Sequence, residues 1–168
     1  MAYPDRDTPL LLLLVLASRH LTDAMQEHLV AAGFHDHRVV HHNVMAHVTH
    51  EGLRLTELAE LAGITKQAMS ELVIDLEELG YLQRWSDPTD GRAKLIGFTN
   101  KGRDAVEAAM RAFEHIDEIL DDRLGSGTLQ TLRGGLLATI ETPLSPPEVD
   151  IGDARTTGRS TKAVRSNQ

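Results

Sequence analysis

Residues 55–102 constrain the fold of this chain more than any other segment. A short helical pattern over residues 56–62 ends at Gly63, and glycine readily supplies the positive φ that a tight turn between helices needs. A second helical pattern covers residues 66–79. Thr65 stands directly before it, and its hydroxyl can cap free amides of the following helix. The segment is therefore predicted to begin with two helices joined by a sharp turn.

A two-stranded hairpin is predicted after the second helix. That helix stops at Gly80, and its apolar residues recur on one face: Met69, Leu72, Val73 and Leu76. The small side chain of Ala59 is expected where the two helices cross. Residues 81–85 and 93–98 have the composition of strands, and the turn between them, residues 86–92, is rich in Asp, Pro and Gly. Thr99 is expected to cap a further helix.

Helix, turn, helix and hairpin in this order outline a winged helix-turn-helix, a module that places its second helix in the major groove of DNA. Helical spacing puts polar residues of that helix on one face, where we expect DNA contact: Thr65, Lys66, Gln67, Ser70 and Glu71. Glu71 could accept from a cytosine amino group, hold a neighbouring cation or weaken the contact, and these alternatives stay open. Ile74 lies on the same face of the helix as Glu71.

The hairpin is expected to add positive charge at the same docking surface. Arg92, at its tip, can lie along the minor groove or the backbone, and a pair with Asp90 would orient it. Arg84 and Lys94 lie on the two strands. Lys101 and Arg103 follow in the next helix, and the acidic Glu77 and Glu78 are expected to face away.

Four motifs resemble the multiple antibiotic resistance regulator (MarR) family of transcription factors. They are Gly-Ile-Thr-Lys-Gln-Ala-Met-Ser-Glu-Leu at residues 63–72, Leu-Glu-Glu-Leu-Gly-Tyr-Leu at 76–82, Asp-Pro-Thr-Asp-Gly-Arg at 87–92 and Phe-Thr-Asn-Lys-Gly at 98–102. The resemblance covers roughly residues 8–142. It implies a mainly α fold with a small β-hairpin wing, a homodimer on double-stranded DNA, and a repressor released by a small aromatic or phenolic effector, with no cofactor.

The resemblance also implies a division of the chain. Residues 8–34 would form an N-terminal dimerisation helix, 36–102 the winged helix-turn-helix, and 103–142 C-terminal dimerisation helices in which residues 125–127 make a break. Residues 143–168 are polar, rich in proline at their start and basic after Gly152, and are expected to form a disordered tail.

The apolar run of residues 10–17 raises the alternative of a signal peptide. Asp5, Arg6 and Asp7 precede it, whereas an export signal needs a positively charged start. The run is also too short to span a bilayer. Thr8 as cap and Pro9 at the first helical position predict a helix instead. We therefore expect a cytoplasmic protein without a membrane anchor, whose first helix is buried between two subunits.

Histidines are concentrated over residues 35–50. On a helix, His37 and His41 would lie one turn apart, as would His47 and His50, and such pairs can chelate zinc. No Cys/His set or zinc-protease motif accompanies them, so no metal site is predicted, and a metal-sensing regulator stays as an alternative. The resemblance places an effector cavity between the dimerisation helices and the winged helix. His41, His42 and Met45 are expected to line it.

Composition bounds the remaining functions. The chain lacks cysteine, which excludes disulfides and a thiol switch. Neither a nucleophile elbow nor a glycine-rich phosphate loop is present, so we predict that it is not an enzyme. The net charge of −8 opposes long-range attraction to DNA. Binding to DNA therefore depends on the local charge of the docking surface. A winged helix that binds proteins rather than DNA is the second alternative.

Overall fold

The computed structural model of the protein describes residues 4–142. That part of the chain contains six helices and a small antiparallel sheet. The elements are α1 (Leu10–Ala31), α2 (Val39–Met45), β1 (Leu53–Arg54), α3 (Leu55–Leu61), α4 (Lys66–Glu78), β2 (Leu82–Ser86), β3 (Lys94–Phe98), α5 (Asn100–Leu124) and α6 (Ser126–Glu141). The predicted fold class, mainly α with a hairpin wing, is confirmed.

The two predicted helices and their turn are present as α3 and α4. Gly63 has a φ of +65°, and the Thr65 hydroxyl accepts a hydrogen bond of 3.2 Å from the Ala68 amide. The apolar face of α4 packs into one core with α3, α5 and the sheet. Its largest fully buried members include Leu58, Met69, Val73, Leu76, Tyr81 and Ile96. Burial of each such aliphatic side chain stabilises the fold by about 1.5–3 kcal/mol.

The sheet has three strands rather than the predicted two. β2 and β3 form the hairpin in register, from Leu82 opposite Phe98 to Ser86 opposite Lys94. β1 pairs with the other edge of β3, with Leu53 opposite Ile96. Its two residues are too few for a period-two pattern, so the sequence carried no signal for it.

Close approach at Gly102 explains the Thr-x-x-Gly motif that begins α5. The Thr99 hydroxyl accepts from the Gly102 amide at 3.1 Å and donates to the Gly80 carbonyl at 2.6 Å. A Cβ on Gly102 would lie 2.1 Å from the carbonyl oxygen of Tyr81. The cap therefore holds the end of α4, the start of β2 and α5 together, and only glycine fits.

Several helix ends differ from the predicted ones. α1 begins at Leu10, and the Thr8 hydroxyl hydrogen-bonds with Asp5 instead of capping the helix. Gly125 alone separates α5 from α6, so the predicted three-residue break is shorter. No helix within residues 4–142 is long and apolar enough to cross a membrane.

The chain divides into two compact units, one ending at Leu129 and the other starting at Gln130. The first contains α1–α5, in which α1 packs on α5 and α2 on α4. The second contains most of α6. The tail predicted for residues 143–168 lies outside the described residues.

Candidate nucleic-acid interface and ligand cavity

The N-terminal half of α4 presents a polar face opposite its buried one. Lys66, Gln67 and Glu71 are exposed, and Ser70 is half-buried. The Gln67 amide donates to the Glu71 carboxylate at 3.3 Å, so each of these side chains restricts the other. Ile74, one turn further, is 46% exposed. This face can meet a groove because the opposite face anchors the helix in the core.

A network of turns shapes the tip of the wing. The Asp87 amide donates to the Ala93 carbonyl at 3.1 Å, and the Asp90 carboxylate accepts from the backbone amide of Arg92 at 3.1 Å. The sequence had suggested a pair between Asp90 and the Arg92 guanidinium. In the structure, Asp90 positions the backbone of Arg92 instead. The Arg92 side chain is exposed and has no ion-pair partner among residues 4–142.

An ion pair between Arg54 and Asp87 connects β1 to the wing and was not predicted. Asp87 is buried, and Arg54 donates to it through Nε at 2.9 Å and Nη2 at 2.5 Å. The Thr89 hydroxyl and amide also donate to it, at 2.7 and 2.8 Å. These hydrogen bonds, with those from Thr89 foremost, hold the pKa of Asp87 well below its usual range. Asp-Pro-Thr signalled a turn, but nothing local signalled a partner 33 residues away.

Other predicted cations are partly engaged within the chain. Arg84 pairs with Glu77 at 3.0 Å. Glu77 was predicted to face away from the docking surface, but it contacts one of the cations expected there. Lys94 donates to the Ser86 hydroxyl at 2.9 Å across the hairpin. Lys101 pairs with Asp36 at 2.6 Å and lies over the ring of Tyr81, and therefore serves the fold rather than the docking surface.

A cavity of about 410 Å³ lies within the first unit, beside the winged helix-turn-helix. Helices α1, α2 and α5 supply most of its wall, and the lining residues are Met25, Leu29, His37, His42, Met45, Ala46, Val48, Phe98, Ala105, Val106, Ala109, Met110 and Phe113. The lining contains His42 and Met45, which the sequence placed there. It contains neither lysine nor arginine, so the wall is apolar apart from two imidazoles.

His41 lies elsewhere, and its predicted place in the cavity is wrong. Its ring is fully buried, and Nε2 lies 2.7 Å from the Asp75 carboxylate on α4. Nδ1 accepts from the backbone amide of Arg38 at 3.1 Å. Because α2 begins only at Val39, His41 stands in its first turn and faces α4, whereas His42 faces the cavity.

The two cavity histidines are neutral at pH 7. His37 and His42 stack with ring centroids 5.0 Å apart. Burial, followed by the neighbouring His42 and His41, lowers the pKa of His37 to about 4, and burial also lowers the pKa of His42. His37 Nδ1 and His42 Nε2 are buried without a hydrogen-bond partner in the described part of the chain. Both nitrogens can therefore bind a polar group of a ligand.

The helical spacing on which the proposed histidine pairs depended is absent, although the ring centroids of His37 and His41 lie 5.3 Å apart. α2 covers only residues 39–45, so His37, His47 and His50 lie outside it. Within residues 4–142, no group of three His, Cys, Asp or Glu side chains is arranged to hold a metal ion.

These elements define the chain as a winged helix-turn-helix protein, and known proteins resemble it in sequence and in fold. A sequence model of the MarR family matches residues 35–93. The transcriptional regulator HosA of Escherichia coli O111:H- is 32% identical over 81 residues, which cover 48% of this chain and 59% of HosA. The predicted resemblance to the MarR family is confirmed over these matched segments.

Solved structures agree in fold. MarR superposes with a TM-score of 0.67 at 20% identity, covering 83% of this chain and 94% of MarR. MepR of S. aureus in complex with DNA superposes with a TM-score of 0.63 at 21% identity, covering 80% of this chain and 98% of MepR. A riboflavin kinase of Thermoplasma acidophilum is 29% identical over 82 residues, 49% of this chain and 36% of the kinase. The matches thus span little more than half of HosA and about a third of the kinase. The fold is the one that MarR and MepR share.

Proposed function

We propose that this protein is a homodimeric regulator that binds double-stranded DNA in a sequence-specific manner and represses transcription. The observation that carries the proposal is the exposed polar face of α4, with Lys66 and Gln67 at its N-terminal end, next in sequence to a wing whose Arg92 is unpaired within the described residues. The MepR–DNA complex, which has the same fold, supports DNA as the partner.

Lys66 and Arg92 would contact phosphates or the minor groove, so their charge matters more than the overall net charge. We expect affinity for selected genomic fragments to fall steeply with salt concentration. Arg92→Ala should weaken binding about equally for all sequences and reduce the salt slope by about one. Fluorescence anisotropy over a series of salt concentrations measures both quantities.

Arg111→Ala is a matched control for the loss of one exposed arginine. Arg111 lies on α5, where it pairs with Glu107 of the same helix. The Arg111→Ala substitution should leave the affinity for DNA and its salt slope unchanged. Equal affinity of Arg92→Ala and the unaltered protein would remove Arg92 from the interface, and binding to no genomic fragment would favour a protein-interaction module instead.

The surface of α1 supports a homodimer. Its first half exposes large apolar side chains in the single chain: Leu10, Leu11, Leu12, Val15 and Leu16. Contiguous apolar patches of this kind mark protein interfaces. A two-fold dimer would present two copies of α4 to a roughly palindromic site.

The cavity is the site we assign to the effector, and its chemistry favours an uncharged phenol. Two neutral imidazoles offer unpaired nitrogens to a hydroxyl, whereas the lining has no cation to offset the desolvation of a carboxylate. We expect isothermal titration to give binding heat with 2-naphthol and none with 2-naphthoate. The phenol should also lower the affinity for DNA. Equal binding of both compounds would contradict this assignment.

A further inference from the structure

Asp36, His37 and Arg38 are consecutive in sequence but contact three different parts of the molecule. We call them the strap. Asp36 contacts residues at the start of β2 and of α5, His37 lines the cavity, and Arg38 contacts α4. The strap therefore connects the cavity to the helix that is proposed to enter the major groove.

The first end of the strap is firmly attached. The Asp36 carboxylate accepts from the Tyr81 hydroxyl at 2.5 Å and from Lys101 Nζ at 2.6 Å. Lys101 also donates to the Leu79 carbonyl at 2.8 Å, and Tyr81 is fully buried. The hydrogen bond from Lys101, followed by that from Tyr81, lowers the pKa of Asp36. Asp36 is therefore ionised at neutral pH and held by two donors.

The other end of the strap holds α4 through Asp75. The Arg38 guanidinium donates to the Asp75 carboxylate, and His41 Nε2 lies 2.7 Å from the same oxygen. The Arg38 backbone amide donates to His41 Nδ1 at 3.1 Å, so Arg38 and His41 are connected before they reach Asp75. Asp75 lies one helical turn beyond Glu71.

The middle of the strap forms part of the cavity wall. The His37 side chain is buried, stacks on His42, and meets the ring of Tyr81 edge-on at 5.6 Å. The His37 carbonyl accepts from the Gln26 amide on α1 at 2.6 Å. Any molecule that hydrogen-bonds to His37, or takes the space of its ring, acts on this segment.

We propose that the strap transmits occupation of the cavity to α4. With Asp36 anchored, displacement of the His37 ring moves Arg38 and, through it, His41, and these two residues hold Asp75. A ligand shifts α4 only if its affinity differs between the conformation with the strap in place and the conformation with the strap displaced. By thermodynamic linkage, DNA then changes the affinity for that ligand by the same factor. The proposal rests on the proposed function for its consequence on DNA, but not for the mechanical connection itself.

Amide hydrogen exchange of the free protein tests the connection without ligand or DNA. In His37→Ala the strap loses its packing, and we expect the amides of α4 to exchange about five- to tenfold faster while those of α5 change little. His37→Phe keeps a ring against His42 and should stay near the exchange of the unaltered protein. Met110→Ala alters the cavity wall outside the strap and should leave α4 unchanged.

Arg38→Gln tests the other end of the strap without disturbing the core, because the Arg38 side chain is 60% exposed. It should speed exchange in α4 by itself. In the Asp75→Asn background, His37→Ala should add no further effect to α4, because the connection is already broken. This arm remains decisive if His37→Ala alone fails to fold.

Unchanged exchange of α4 in Arg38→Gln, or an effect of His37→Ala that is equal in α4 and α5, would overturn the strap. So would full additivity of His37→Ala and Asp75→Asn. DNA binding is measured separately by anisotropy. A chain whose α4 responds but which binds no DNA keeps the strap and loses the proposed function, whereas DNA binding without a response of α4 keeps the function and loses the strap.

Discussion

The winged helix-turn-helix and the first half of α1 both carry large apolar side chains, yet they bury them to opposite degrees. Leu58, Met69 and Val73 are fully buried within the winged helix-turn-helix, whereas Leu11 of α1 is 75% exposed. Burial depends on what packs against a segment, not on its composition. The winged helix-turn-helix completes its core inside one chain, and α1 needs a second surface.

The largest effect should come from opening the core that one chain completes. Met69→Ala leaves a cavity against Leu58 and Val73, and we expect it to lower the free energy of unfolding by about 2–5 kcal/mol. Urea denaturation followed by circular dichroism measures this loss. Met110→Ala is the matched control: Met110 is 54% exposed, so its loss should cost about 1 kcal/mol or less. Equal losses would mean that Met69 is packed no more tightly than the exposed Met110.

An intermediate effect is expected at the surface that a second chain would cover. Leu11→Glu puts a charge into the proposed dimer interface, and we expect the dimer dissociation constant to rise about a hundredfold, or about 2.7 kcal/mol. Sedimentation equilibrium measures it. Val40→Glu, at the 53% exposed Val40 of α2, should leave the dimer intact. An unchanged dimer in Leu11→Glu would mean that another surface covers the apolar residues, or that none does.

The smallest effect is expected at the cavity wall, where the ionisation of His37 makes the stability of the fold depend on pH. Because the pKa of His37 is lowered from 6.5 to about 4, the folded chain binds fewer protons than the unfolded chain between these pH values. The contribution of the neutral His37 ring to the free energy of unfolding is fully present above pH 6.5 and decreases as the pH falls toward 4. We expect a loss of about 2 kcal/mol between pH 7.5 and pH 4.5.

Thermal unfolding of the metal-free protein over this pH range measures the loss. His37→Gln should flatten the profile. The lowered pKa values of Asp36 and Asp75 act in a lower window, because their contribution is lost only as the pH falls below about 4. A profile that stays equally steep in His37→Gln would assign the pH dependence to other groups.

Local chemistry accounts for what the sequence predicted correctly. The turn at Gly63, the cap at Thr65 and the cap at Thr99 each depend on residues within three positions of one another. The hairpin is also local in sequence, because its two strands are consecutive and only residues 87–93 separate them. Expectations failed where a partner is distant in sequence: His41 was assigned to the cavity, but its partner Asp75 is 34 residues away.

The sequence by itself determined the order of helices, turn and wing, because propensity, capping and apolar spacing are local properties. It also identified the polar face of α4. Only the tertiary structure decided which charges are engaged: Arg54 with Asp87, Arg84 with Glu77, and Lys101 with Asp36. It likewise decided that His37 lines a cavity while its neighbours hold other elements. Such pairings join residues far apart in the chain, and their geometry exists only once the core has brought the elements together.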